Sequence, residues 1–171
     1  MPSKAFPHTW ITLSGHHLYE TLNPFWLHLD QQLAKPKSLH LWITPEQADL
    51  QQQLQAALIL LGKHYHVNFK LEFHAFDEED VDQFAGQVRQ LFSRLQADSP
   101  QVILDISPTT WSFVPLILVG QAANLQPPCQ IIYLQYGSHL FRQRPYPLIP
   151  RQAVRLHQVP VSGWHSEEET P

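Results

Sequence analysis

The sequence contains only one cysteine, Cys129, among its 171 residues. A single thiol can form neither an internal disulfide bond nor a thiolate cluster for zinc. The sequence also has no apolar run long enough for a signal peptide or a membrane-spanning helix. We therefore expect a protein of a reducing compartment, the cytoplasm, with no membrane partner.

Positive charge is scarce as well, since the formal net charge is −4 and the sequence pI is about 6.2. Proteins that hold long nucleic acids by neutralising phosphates need a basic stripe, so this class is excluded. A small anionic ligand remains compatible with the composition, because helix N-termini can bind it through backbone N–H groups.

The sequence lacks several motifs that identify particular classes of enzyme. There is no Gly-x-Gly-x-x-Gly dinucleotide fingerprint, no P-loop and no Gly-x-Ser-x-Gly nucleophile elbow. The chain has 11 histidines, but neither His-Glu-x-x-His nor a carboxylate set at ligand spacing accompanies them. The sequence therefore predicts no metal site and no bound cofactor.

Short apolar runs alternate with amphipathic stretches along the whole chain. The predicted strands are residues 8–13, 38–43, 67–73, 102–106 and 131–134, with a weaker sixth at 152–157. The run at 102–106 is nearly all apolar and indicates a central strand, whereas the alternation at 67–73 indicates a strand near the sheet edge. The first helix is expected to carry apolar residues from Leu22 to Leu33, and the second to run from Pro45 to about Lys63.

Strands that alternate with helices indicate an α/β protein with right-handed crossovers. The predicted fold is one Rossmann-like, doubly wound domain over residues 1–160, with a mainly parallel sheet of five to six strands. The acidic tail, residues 161–171, is expected to be disordered.

Residues 111–125 are apolar on every side, which suits a helix pressed into a core or against another subunit. Pro115 limits where this helix can begin, because proline lacks an N–H group and clashes with the carbonyl four residues earlier. We place it in the first turn, so the helix begins near Trp111 or later. Residues 107–112 then form a hydroxyl-rich loop after the central strand.

Two turns follow predicted strands at the sheet edge where open parallel sheets bind ligands. In the first turn, Gly15 allows a ligand close to the backbone and Ser14 offers a hydroxyl. The second turn, residues 105–110, could hydrogen-bond phosphate or ribose oxygens. Either turn could instead be an internal cap without a ligand, and the sequence leaves both readings open. The candidate ligand-binding residues of the two turns are Ser14, Gly15, Asp105, Ser107, Pro108, Thr109, Thr110 and Trp111.

Ionisable side chains near these turns are the candidates for chemistry. Asp105 could contact a ribose hydroxyl, or it could accept hydrogen bonds from its own loop. His16 and His17 could act as acid, base or phosphate contact, with plain surface histidines as the alternative. Arg142 and Arg144 belong to a basic cluster that could fold over the site to bind phosphate or could form a solvated face.

The pattern resembles the CARF domain, the CRISPR-associated Rossmann-fold sensor module of type III CRISPR systems. The resemblance covers about residues 8–158 and rests on the strand exits Leu13-Ser14-Gly15, Leu41-Trp42-Ile43-Thr44-Pro45 and Val102-Ile103-Leu104-Asp105-Ile106-Ser107-Pro108-Thr109-Thr110. In that family the loops after the first and fourth strands bind cyclic oligoadenylate across a homodimer, and the apolar helix contributes to the interface. By this resemblance, the pocket would be lined by Ser14, Gly15, Ser107, Thr109 and Thr110.

The resemblance has one departure. The family's fourth-strand loop often carries glycines and a lysine, whereas this loop has Pro108 followed by Thr109-Thr110-Trp111 and no cation. Charge for a phosphate would have to come from His16, His17 or the later arginines. A lone domain without an appended nuclease is similar to ring nucleases, which cleave the messenger, or to members that only bind it.

The expected function is binding of a cyclic oligoadenylate, with cyclic tetra-adenylate as the first candidate, at a homodimer interface. Cleavage would need no metal and would give 2′,3′-cyclic phosphate products, with geometry supplying most of the catalysis. The candidate catalytic residues are Ser14, which would orient the ring, and His16 and His17, which would assist proton transfer. A non-catalytic sensor or sponge is one alternative, and a dimeric scaffold without a nucleotide ligand is another.

Overall fold

The structure is a computed structural model that describes residues 7–31, 35–98, 101–108, 113–125 and 129–159. Strands and α-helices alternate along these residues. In chain order they are β1 (His8–Leu13), α1 (Leu18–Asp30), β2 (Pro36–Ile43), α2 (Ala48–His64), β3 (Lys70–Ala75), α3 (Val81–Asp98), β4 (Val102–Asp105), α4 (Val114–Ala122), β5 (Gln130–Tyr136) and β6 (Val154–Val159). Short 3₁₀ turns precede α2 and fill most of the segment between β5 and β6.

The strands form a six-stranded sheet in the order β3-β2-β1-β4-β5-β6. The first five strands are parallel, and β6 pairs antiparallel with β5 at the edge. This arrangement confirms the α/β, Rossmann-like, mainly parallel sheet that the sequence predicts. It also confirms β4 as a fully buried strand and β3 as an edge strand.

Helices cover both faces of the sheet. The buried apolar residues of α1 and α2 share one core with Trp10 and Leu41, whereas those of α3 and α4 share another with Ile11 and Trp42. Neighbouring residues of β1 and of β2 thus enter opposite cores, because side chains alternate across a strand. A one-residue slip of either strand would exchange its two sets of side chains, so burial on both faces specifies the register.

The segment between β5 and β6, residues 137–153, is anchored by a third, smaller core. In that core, Tyr146 and Ile149 from the segment pack with Leu27 of α1, Leu134 of β5 and Val154 of β6. The segment therefore lies against α1 instead of extending into solvent.

Two helix boundaries differ from the sequence prediction or refine it. Helix α1 begins at Leu18, four residues before Leu22, and Pro24 consequently lies inside the helix. Helix α4 begins at Val114 with Pro115 in its first turn, as the geometry of proline requires. Leu33, the last apolar position expected in α1, lies outside the described residues.

The third strand begins at Lys70, not at Val67, because α2 closes with a left-handed turn. His66 has a φ of 54°, and its N–H donates to the carbonyl of Lys63 at 3.3 Å. The N–H of Val67 donates to the carbonyl of Gly62 at 2.8 Å. These two bonds form a Schellman motif, which satisfies carbonyls at the helix end and turns the chain away.

None of the helices in the described part of the chain is long and apolar enough to cross a membrane.

Candidate functional site

The carboxyl ends of β1 and β4 lie side by side, with Thr12 paired to Asp105. The chain leaves β1 toward α1 on one face of the sheet and leaves β4 toward α4 on the other. This is the switch point at which open α/β sheets form a ligand-binding crevice. We use "the crevice" for the space between the β1–α1 turn, residues 14–17, and the start of the β4–α4 loop, residues 106–108. The two turns are close, since the Pro108 Cβ lies 3.4 Å from where a Cβ on Gly15 would stand.

Gln47, from the turn after β2, holds the β1–α1 turn in place by hydrogen bonds. The Ser14 hydroxyl donates to Gln47 Oε1, and Gln47 Nε2 donates to the Gly15 carbonyl at 2.9 Å. The amide of Thr44 donates to Gln47 Oε1 at 3.2 Å. Sequence reasoning missed Gln47 as a site residue, although Thr44 and Gln47 have the spacing of a capping box. The Ser14 hydroxyl is thus held inside the turn by a neighbouring loop.

Two amides of the same turn bond to side chains of α1. The Gly15 N–H donates to Thr21 Oγ1 at 2.8 Å, and the His16 N–H donates to Glu20 Oε2 at 3.0 Å. A negative carboxylate therefore occupies a position that an anion would otherwise take at this helix start. A phosphate in the crevice would contact the side chains of His16 and His17, or it would displace Glu20.

Asp105 lies beneath the β4–α4 loop, fully buried. Its Oδ2 accepts from Thr12 Oγ1 at 2.9 Å, and its Oδ1 accepts from the Ser107 amide at 2.9 Å and from the Ser107 hydroxyl. Ser107 Oγ in turn accepts from the Leu134 amide of β5 at 2.7 Å. Of the two roles considered for Asp105, the described residues show the internal one, and its contact with a ribose hydroxyl stays a prediction.

Burial raises the pKa of Asp105 to about 6, and hydrogen bonds from Ser107 and Thr12 oppose that rise. Burial disfavours a charged carboxylate, whereas donors stabilise it. Pro108, in the same loop, is also buried. Thr109, Thr110 and Trp111 lie outside the described residues, so their proposed contacts with a ligand stay predictions.

The 3₁₀ turn His139–Gln143 brings the basic cluster toward α1. The Gln143 side-chain amide lies 2.9 Å from Nε2 of His17, an exposed residue at the mouth of the crevice. Arg142 is half-buried, and the Arg144 guanidinium lies over the ring of Phe141, 5.9 Å from its centroid. The structure thus brings Gln143, which sequence reasoning missed, next to the candidate histidine.

Asn23 on α1 holds this part of the chain against the helix by hydrogen bonds. Its Nδ2 donates to the Arg144 carbonyl at 2.8 Å and to the Tyr136 hydroxyl at 3.3 Å, while its Oδ1 accepts from the Tyr146 amide at 2.9 Å. Burial raises the pKa of the Tyr136 phenol, and Asp105 and Glu20 raise it further. Asn23 is buried within the apolar stripe of α1. A polar residue in such a stripe needs a hydrogen-bond partner, and this is the signal by which the sequence could have indicated its role.

Among the described residues around the crevice, the hydroxyls of Ser14 and Ser107 hold the loops. His16 and His17 are exposed and Arg142 is half-buried, so these three side chains are accessible to a ligand. Imidazoles can take and return a proton near neutral pH, and a guanidinium can pair with phosphate.

The sheet order and the parallel pairing define a Rossmann-like α/β fold, which is the fold that the sequence resemblance implies. A solved structure with this fold is Can2 from Sulfobacillus thermosulfidooxidans in complex with cyclic tetra-adenylate. The similarity has a TM-score of 0.52 at 17% sequence identity and covers 74% of this chain and 31% of Can2. The chain therefore spans about a third of the length of that protein. No protein-family model and no curated protein sequence matches the chain.

Asp105→Asn should change the pH dependence of stability. The folded-state pKa of about 6 lies above the usual 3.8, so the Asp105 contribution to stability is full below the lower value and is lost as pH rises through the upper one. Asparagine keeps Oδ1 for Ser107 and does not titrate. As pH rises between these two values, the wild type should lose this contribution and the variant should not. The free energy of unfolding of the variant should therefore increase relative to that of the wild type by on the order of 2–3 kcal/mol. Urea unfolding across this range measures the difference, and parallel profiles would contradict the buried carboxylate.

Gly15→Ala should destabilise the β1–α1 turn. An added Cβ would lie 2.7 Å from Glu20 Cβ and 2.8 Å from its Oε2, so the variant should lose about 1–3 kcal/mol. Gly86→Ala in α3 is the matched control, because nothing lies within 4 Å of its added Cβ, and it should gain about 0.5–1 kcal/mol. Denaturant unfolding compares the two. Effects of the same sign would show that the turn is not closely packed.

Proposed function

We propose that the chain binds a cyclic oligoadenylate, with cyclic tetra-adenylate as the first candidate, in the crevice between the β1 and β4 exits. The observation that carries the proposal is the contact between these two turns at the switch point of a fold shared with a cyclic tetra-adenylate complex. The half-buried Arg142 and the exposed His16 and His17 supply groups for phosphate at its mouth. The role proposed is in type III CRISPR signalling in the cytoplasm.

We further propose that two copies form the site through α4. The helix has no charged residue, and Leu116 on its outer side is 71% exposed. A Cβ on Gly120 would have open space around it, so a second helix could approach closely there. Burying this apolar side against its symmetry mate would remove Leu116 from water and place two crevices near one twofold axis.

Cleavage of the bound ring is the finer part of the proposal. A ribose 2′-oxygen attacks the adjacent phosphorus, its proton passes to a base, the bond from phosphorus to the 5′-oxygen breaks, and that oxygen takes up a proton. The products are a 2′,3′-cyclic phosphate and a 5′-hydroxyl, and the step requires no metal. His17 is the residue we assign to this proton transfer, because its contact with Gln143 orients the ring. Ser14 and Gly15 then position the backbone of the turn.

The first experiment incubates the purified chain with cyclic tetra-adenylate in EDTA and measures the thermal shift and the products. We expect a shift to higher Tm and a linear product ending in a 2′,3′-cyclic phosphate. His17→Ala should slow cleavage by about 100-fold or more, and His64→Ala, an exposed histidine at the far end of α2, is the control.

The outcomes of that experiment separate three functions. A thermal shift without product supports a binding-only sensor or sponge and excludes the catalytic assignment. The absence of a thermal shift with cyclic tri-, tetra- or hexa-adenylate overturns the ligand proposal. A stable dimer that shows no such shift supports the third function, a dimeric scaffold without a nucleotide ligand.

Leu116→Glu should break the dimer, because a carboxylate would be buried in an apolar interface. Leu60→Glu is the control, since Leu60 is 64% exposed on α2, which lies on the opposite face of the sheet. Light scattering after size exclusion should give a monomer for the first variant and a dimer for the control. A wild-type monomer at micromolar concentration, or a dimer in both variants, would contradict the interface.

A further inference from the structure

Three potential metal ligands meet on the sheet face covered by α3, outside the crevice. His40 of β2 pairs with Glu72 of β3, and Trp42 pairs with His74 two positions along. Side chains two residues apart on a strand point to the same face, so this register brings His40, Glu72 and His74 together. Local spacing could not reveal the set, because it is divided between two strands.

The distances between their donor atoms fit a single ion. His40 Nδ1 lies 3.0 Å from His74 Nε2 and 3.8 Å from Glu72 Oε2. One ligand atom from each residue lies within 4.8 Å of the other two. A tetrahedral zinc ion with bonds of about 2.0–2.1 Å has ligand atoms separated by about 3.3 Å. Small side-chain movements would therefore bring all three atoms into coordination.

The present contacts of the three side chains show what an ion would replace. His40 Nδ1 and His74 Nε2 share a hydrogen bond, and an ion bound by both nitrogens would take the place of that bond. Lys70 Nζ occupies Glu72 Oε1 at 2.8 Å and leaves Oε2 on the histidine side.

Neighbouring side chains hold the two imidazoles in place. The rings of His40 and His74 stack with an interplanar angle of 17°, and the Trp42 ring lies 4.7 Å from that of His74. A cavity of about 310 Å³ opens beside His40 and Glu72, with Arg94 of α3 on its wall. Water in this cavity can supply a fourth ligand. Two cationic side chains near the set oppose a cation: the charge of Arg94 acts on both histidines, and the charge of Lys70 acts on His40.

We propose that His40, Glu72 and His74 form a Zn²⁺ site with a fourth coordination position open to this cavity. Two histidines, one carboxylate and an exchangeable water are a ligand set that zinc takes in proteins. The proposal does not depend on the nucleotide proposal, since none of these residues belongs to the crevice.

The test titrates ZnCl₂ into the untagged, metal-depleted full chain by calorimetry and adds Co²⁺ as an optical probe. We expect one equivalent per chain with micromolar or tighter affinity, and the visible absorption of tetrahedral Co²⁺. Glu72→Gln keeps the side-chain shape and should weaken Zn²⁺ binding by about 100-fold, as should His74→Ala. Circular dichroism confirms that both variants fold.

Two further variants sharpen the result. His64→Ala should leave the Zn²⁺ affinity unchanged, because His64 is exposed and remote from the set. Arg94→Met removes one of the two opposing charges and should tighten binding several-fold. The proposal is overturned if the wild type shows no saturable binding, or if folded Glu72→Gln and His74→Ala bind Zn²⁺ as the wild type does.

Discussion

The buried carboxylate of Asp105 is the constraint around which the centre of the sheet is arranged. Taking a carboxylate out of water is unfavourable unless donors replace the lost hydration. Thr12 supplies one donor from β1, and Ser107 supplies two from the loop after β4. Because Ser107 also accepts a hydrogen bond from the Leu134 amide, hydrogen bonds centred on the Asp105 carboxyl group connect the carboxyl ends of β1, β4 and β5. The mouth of the crevice is consequently built on fixed backbone.

The same use of buried polar groups recurs around that centre. Gln47 and Asn23 each bond to a chain segment that is distant in sequence: Gln47 bonds to the β1–α1 turn, and Asn23 bonds to the segment after β5. Hydroxyls and amides that resemble free ligand contacts in the sequence are thereby used to hold loops. In the described part of the candidate site, the exposed or half-buried ionisable groups are the imidazoles of His16 and His17 and the guanidinium of Arg142.

The sequence predicted the fold well where local pattern and burial agree. The continuous apolar run of β4 indicated a buried strand, the alternation in β3 indicated an edge strand, and Pro115 limited the start of α4. The start of α1 was missed because its N-cap, His17, makes no side-chain cap and so gives no signal. The partners of Ser14 and Asp105, like the convergence of His40 on Glu72, depend on strand register and crossovers, which local periodicity does not report.

In the segment between β5 and β6, Pro147 lies within a 3₁₀ turn, and Pro145 and Pro150 are the N-cap residues of two such turns. Each proline fixes one backbone dihedral angle in the unfolded chain as well as in the folded one. The segment therefore loses less conformational entropy on folding than an ordinary loop of its length. The wall that brings Arg142 and Gln143 to α1 is preorganised, and association with a ligand would spend little of its binding free energy on ordering that wall.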